Sequence, residues 1–187
     1  MRTLPGRTGR TTTLSALASA TAVAAVVALA SPADAAAIGV RDADDTRHGS
    51  DLRSVVVRHT DRAVVVTTTH DDLRRDPASG SGGAVYLDTD PADRGPEFVF
   101  VGGYFVGTDY QLVRTEGFGP DQWGEPVDGS YEMTVDYATD QVRMRMSRAA
   151  LSRPDEVRVA VRVSGPSEST VDWLRQPRSS TPWVARG

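Results

Sequence analysis

Tyr131-Glu132-Met133-Thr134-Val135-Asp136-Tyr137 alternates apolar and polar residues without a break. Successive side chains of an extended strand point to opposite faces, so one face of this stretch is apolar and the other is polar. The pattern recurs downstream. Val142, Met144 and Met146 alternate with Arg143 and Arg145, and Val157, Val159, Val161 and Val163 with Arg158 and Arg162. These three segments read as half-buried antiparallel strands, with Met133, Val135, Val142, Met144, Val159 and Val161 in a core and the arginine head groups in water. Working outward, Leu52–His59, Ala63–His70, 83–88, 97–101 and 109–115 bring the set to about eight strands. Thr60-Asp61-Arg62 and Ala138-Thr139-Asp140 are short polar breaks that suit hairpin turns, and Gly102-Gly103 suits a turn or a bulge. Segment 97–101 is apolar on both faces and belongs mid-sheet. Residues 147–151 before Pro154 suit at most one helical turn, and no window sustains a 3.6-residue period. The expected fold is an all-β, antiparallel β-sandwich, jelly-roll-like.

Outside those strands, residues 1–35 have the layout of a secretory signal peptide. Arg2, Arg7 and Arg10 precede an uncharged Ala-, Val- and Leu-rich run at 14–30, and Ala33-Asp34-Ala35 is a small-x-small cleavage pattern. Cleavage there removes three Arg and one Asp and takes the net charge from −4 to −6. That places the remaining chain outside the cell, with no membrane anchor after processing. The acidic balance argues against nucleic acid as a partner. Residues 36–50 are small and polar and read as a loose lead-in to a single domain over 51–187. The chain has no cysteine, so no disulfide constrains it, and packing or a bound ion must do so instead. The Ser- and Pro-containing tail carries Trp173 and Trp183, which are expected to lie against the sandwich.

Two groups of residues are candidate sites. Asp88, Asp90, Asp93 and Glu97 space four carboxylates along one loop, and calcium takes about six to eight oxygens of this kind. The alternative is a solvated connection in which Asp and Pro only shape turns. The second group is aromatic. Trp123 lies in a glycine-flanked loop, and Tyr104 and Tyr110 frame another glycine-containing turn. Flat rings beside Arg114 and nearby carboxylates suit stacking on a sugar. His48 and His70, with Asp71 or Asp72, are a further, weaker zinc candidate. No catalytic motif is present: Ser79-Gly80-Ser81-Gly82-Gly83 is not a nucleophile elbow, and no His-Glu-x-x-His occurs.

Val85-Tyr86-Leu87-Asp88-Thr89-Asp90, Gly95-Pro96-Glu97-Phe98, Asp109-Tyr110 and Val135-Asp136-Tyr137, with Arg148 and Leu151, resemble small secreted actinobacterial proteins. Over 52–164 the strand order is similar to family-nine carbohydrate-binding modules and the related DOMON domains. The resemblance implies a β-sandwich that binds an extracellular ligand. In the resembling secreted sequences a cysteine pair stands where this chain has the Gly129-Ser130 and Ala150 regions. The reading that results is a secreted, non-catalytic ligand-binding β-sandwich, with carbohydrate the leading ligand class. A structural or protein-interaction module of the cell envelope is the second reading, and a hydrolase with an unrecognised site the third.

Overall fold

A computed structural model describes residues 36–187; residues 1–35, read from the sequence as a signal peptide, lie outside the described residues. Among the described residues, twelve strands form two antiparallel sheets, an all-β sandwich. The first sheet contains β1 (Ala36–Arg41), β2 (Leu52–His59), β3 (Ala63–His70), β8 (Tyr131–Asp136) and β9 (Gln141–Ser147), in the order β1-β2-β3-β9-β8. The second contains β4 (Gly82–Asp88), β5 (Phe98–Gly103), β6 (Tyr110–Thr115), β7 (Trp123–Pro126), β10 (Glu156–Ser164) and β11 (Asp172–Trp173), in the order β11-β10-β4-β5-β6-β7. The short β12 (Val184–Ala185) also pairs with β10.

Both anticipated hairpins form. Thr60 turns β2 into β3, its hydroxyl accepting from the Arg62 and Ala63 amides. Asp136 turns β8 into β9, accepting from the Ala138 amide and the Thr139 hydroxyl, while Asp140 takes φ 52°. The β2–β3 ladder pairs symmetrically about its turn as far as Ser54↔Thr69, and then a bulge places His70 opposite Leu52. The extra residue is Arg53. The bulge lets Leu52, like Val55 and Val57, turn inward to complete burial.

Val85, Leu87, Phe98, Phe100, Leu112 and the four valines of β10 face Val55, Val57, Val64, Val66, Met144 and Met146 across the sandwich. Met133 and Val135 are only half-buried, because β8 is an edge strand with no neighbour beyond it. β5 lies between β4 and β6, as its two apolar faces require. Its Val99, with Ala84, Tyr86, Val113 and Ala160, is buried on the outer face of the second sheet beneath Phe118, Trp123 and Trp173.

Four strands differ from the sequence reading. The expected loose lead-in instead begins with β1, which pairs with β2 along its whole length. Its Ala-Ala-Ile-Gly-Val-Arg sequence lacks alternation because Ala and Gly occupy both faces. β7, β11 and β12 have four residues or fewer and show no periodicity. The tail does lie on the sandwich: the Leu174 and Thr181 amides donate to Val161 and Val159, and Leu174 and Val184 are buried. Positions 129 and 150 are neighbours, and a Cβ on Gly129 would come within 2.7 Å of the Ala150 Cβ. Glycine and alanine therefore pack closely here.

Met144→Ala is expected to cost about 2–5 kcal/mol, the range for emptying a fully buried site. Met133→Ala, on the edge strand, should cost less than half as much. Urea denaturation measures both; equal losses would contradict the placement of β8.

Candidate functional site on the outer face of the second sheet

An outward-facing apolar surface is exposed unless something covers it, and here loop and tail aromatics do. Tyr86, central on β4, donates its hydroxyl to the Phe118 carbonyl at 2.7 Å. Its ring centroid lies 4.9 Å from that of Phe118 and 5.9 Å from the nearly parallel ring of Trp173. The cover is incomplete, leaving a cleft of ≈ 320 Å³ floored by Tyr86 and Ala160 and walled by Phe118, Arg178 and Thr181.

Asp88 and Arg158, cross-strand partners on β4 and β10, meet in this cleft. Asp88 Oδ2 accepts from Arg158 Nε at 2.8 Å and lies 2.6 Å from Nη2. Burial raises the Asp88 pKa above its ordinary value, and the Arg158 guanidinium offsets this only in part. Arg158 also lies 4.6 Å over the Trp183 ring, and Arg178 lies 6.0 Å from that of Phe118. The sequence reading put the charged end of Arg158 in water; the structure ties it to a buried carboxylate. Alternation marks a side chain as outward-facing, but the partner comes from the sheet register and the ring from the tail.

The calcium expectation for the 88–97 loop is not met by the geometry. Asp88 is held by Arg158. Glu97 accepts from the Thr89 amide and hydroxyl at 2.6 and 2.9 Å. Asp90 accepts from the Ala92 amide at 2.9 Å, and Asp93 from the Arg94 amide at 2.7 Å. The contacts are separate ones: Asp90, Asp93 and Glu97 bond within the loop, whereas Asp88 reaches across to β10 and keeps its Oδ1 enclosed without a hydrogen-bond partner. Among the described residues, the three acidic groups that do converge are elsewhere, at Asp45, Asp51 and Asp172.

The proposed ring set divides three ways. Trp123 and Arg114 do share a depression of ≈ 540 Å³, with Glu97, Glu116, Asp121 and Glu125 around it. Trp123, however, begins strand β7 and is half-buried, its Nε1 enclosed without an acceptor, so it is not a ring with both faces open. Tyr104 is a core residue, 1 % exposed, and a Cβ on Gly83 would run into its hydroxyl. Tyr110 is 39 % exposed but stacks on Phe100 at 5.7 Å and lines a different depression. The zinc candidate also separates. His70 Nε2 meets the Thr68 hydroxyl at 2.7 Å and Nδ1 the Ser50 carbonyl at 2.9 Å, while His48 Nδ1 meets the Ser50 hydroxyl. Burial lowers the His70 pKa to about 4, and both its nitrogens are occupied by protein atoms.

Comparison with known proteins returns no matching family model and no matching curated relative.

Arg158→Ala should cost about 2–4 kcal/mol at pH 7, toward the lower end for a broken buried pair because Arg158 is about a third exposed. It leaves Asp88 buried and ionised. Because the folded-state pKa of Asp88 lies above its ordinary value, that loss should shrink as the pH falls and Asp88 takes up a proton. Denaturation at pH 7 and pH 5 measures this; an Arg158→Ala variant as stable as wild type at pH 7 would contradict the assignment.

Proposed function

We propose that the chain is a secreted, non-catalytic ligand-binding β-sandwich, and that its ligand is a carbohydrate held at the Trp123–Arg114 depression. The observation that carries this reading is the shared lining: one indole ring, one guanidinium, four carboxylates and the Gln122 amide around a single opening. A pyranose has an apolar face and a rim of hydroxyls, so it requires a flat ring together with convergent donors and acceptors. Arg114 is exposed and donates; the exposed Glu116, Asp121 and Glu125 accept from hydroxyls. Trp123 is anchored by strand pairing with Thr115, which fixes the ring before a ligand arrives and lowers the entropic cost of binding. The signal-peptide pattern at 1–35 supports an extracellular setting. The resemblance of 52–164 to family-nine carbohydrate-binding modules points to the same ligand class.

Affinity electrophoresis and a glycan array test the reading. The wild type should be retained by at least one polysaccharide. Arg114→Ala should weaken retention at least tenfold while moving the melting temperature by less than about 2 °C, as expected for an exposed side chain. Trp123→Ala should abolish retention. A wild type retained by no glycan would overturn the proposal, as would an Arg114→Ala variant retained as tightly as wild type.

A further inference from the structure

The loop joining β1 to β2 gathers a second set of carboxylates, well away in sequence from 88–97. One oxygen each from Asp45, Asp51 and Asp172 lies within 4.8 Å of the others. The arrangement is structurally fixed on two sides. Asp172 belongs to β11, and its Oδ2 accepts from the Leu52 amide at 2.9 Å, tying β11 to the start of β2. Asp51 Oδ1 accepts from the Thr46 amide at 2.8 Å, which folds the loop back on itself.

Burial sets this group apart from an ordinary acidic surface. Asp51 is 0 % exposed and Asp172 is 6 % exposed, whereas Asp45 is open to solvent. Asp51 Oδ2 is enclosed and accepts no hydrogen bond, and the same holds for Oδ2 of the adjoining Asp42. The nearest cation is the Arg53 guanidinium, 3.2 Å from Asp51 Oδ2, but it also faces Asp44 at 3.0 Å and Asp71 at 2.6 Å. One guanidinium shared among three carboxylates leaves the enclosed oxygens short of positive charge, and that cost falls when a further cation shares them.

We propose that Asp45, Asp51 and Asp172 bind a calcium ion, which clamps the β1–β2 loop to β11. The donors are all oxygen, with no imidazole or thiolate, which selects a hard cation over zinc or copper. Three protein carboxylates with room for further oxygens suit calcium, which takes about six to eight, better than magnesium, which is usually held by one or two carboxylates and keeps several waters. The solvent-exposed side, at Asp45, leaves positions for water. Such an ion would join the segment before the first long strand to the tail after the last one, in a chain with no disulfide to do so.

Calorimetric titration of calcium chloride into chelator-treated, dialysed protein tests the proposal, alongside melting curves. One equivalent should bind, and calcium at about a hundredfold over its Kd should raise the melting temperature by roughly 5–10 °C. Asp45→Asn, at an exposed position that does not threaten folding, should weaken binding at least tenfold. Asp90→Ala, in the 88–97 loop, should bind as wild type does. Identical melting curves in millimolar calcium and in chelator would overturn the proposal. So would an Asp45→Asn variant with wild-type affinity, or loss of binding in Asp90→Ala, which would move the ion to the other loop.

Discussion

Strand β10 is the element on which the rest of the sandwich depends. It pairs with β4 from Arg158↔Asp88 to Ser164↔Gly82, and its other edge is taken by β11 and β12. An unpaired edge of this length would offer a row of free amides and carbonyls to other chains. The tail prevents that with two short strands and with single contacts between them, such as the Val159 amide donating to the Thr181 hydroxyl. The same pairing sets the strand phase. Val157, Val159, Val161 and Val163 enter the main core, while Arg158 and Ala160 form part of the outer cleft. Without cysteines, this pairing and the burial it directs hold the C-terminal tail to the centre of the second sheet.

Covering the outer face with aromatics has an electrostatic consequence. Ionisable groups that a bare sheet would leave in water become enclosed, and each must find a partner. Asp88 finds Arg158. Glu97 finds the Thr89 amide and hydroxyl, though burial still raises its pKa. Away from that face, in β3 of the first sheet, His70 is also enclosed, between Thr68 and Ser50 and 5.2 Å from the core ring of Tyr104. The Asp45–Asp51–Asp172 group is the case in which protein donors are too few for the oxygens present. Asp88 Oδ1, too, stays enclosed without a hydrogen-bond partner.

The long strands were legible because alternation encodes them directly. β2 and β3 have the bounds read from sequence, and Tyr131 to Asp136 forms a strand in the phase its pattern requires. β1 was not legible because Ala and Gly give no contrast between faces, and β11 and β12 are too short to have a period. The site residues were harder to read, for a related reason. Trp123 and Arg114 come together because β6 and β7 pair, and Tyr104 goes to the core because Gly83 leaves room for its ring. Neither fact is local. The loop at 88–97 has calcium-like spacing, yet its carboxylates are consumed by neighbouring amides and by Arg158, which lies seventy positions from Asp88. The cluster that does converge joins residues more than a hundred positions apart, beyond the reach of any spacing rule.

Amide hydrogen exchange, resolved by residue, tests most directly whether the tail closes the second sheet. The amides of Leu174 and Thr181, which donate to Val161 and Val159, should exchange as slowly as the β10 amides themselves, since both open only when the sheet edge opens. Tail amides that exchange at the rate of an open chain, while β10 stays protected, would contradict the account.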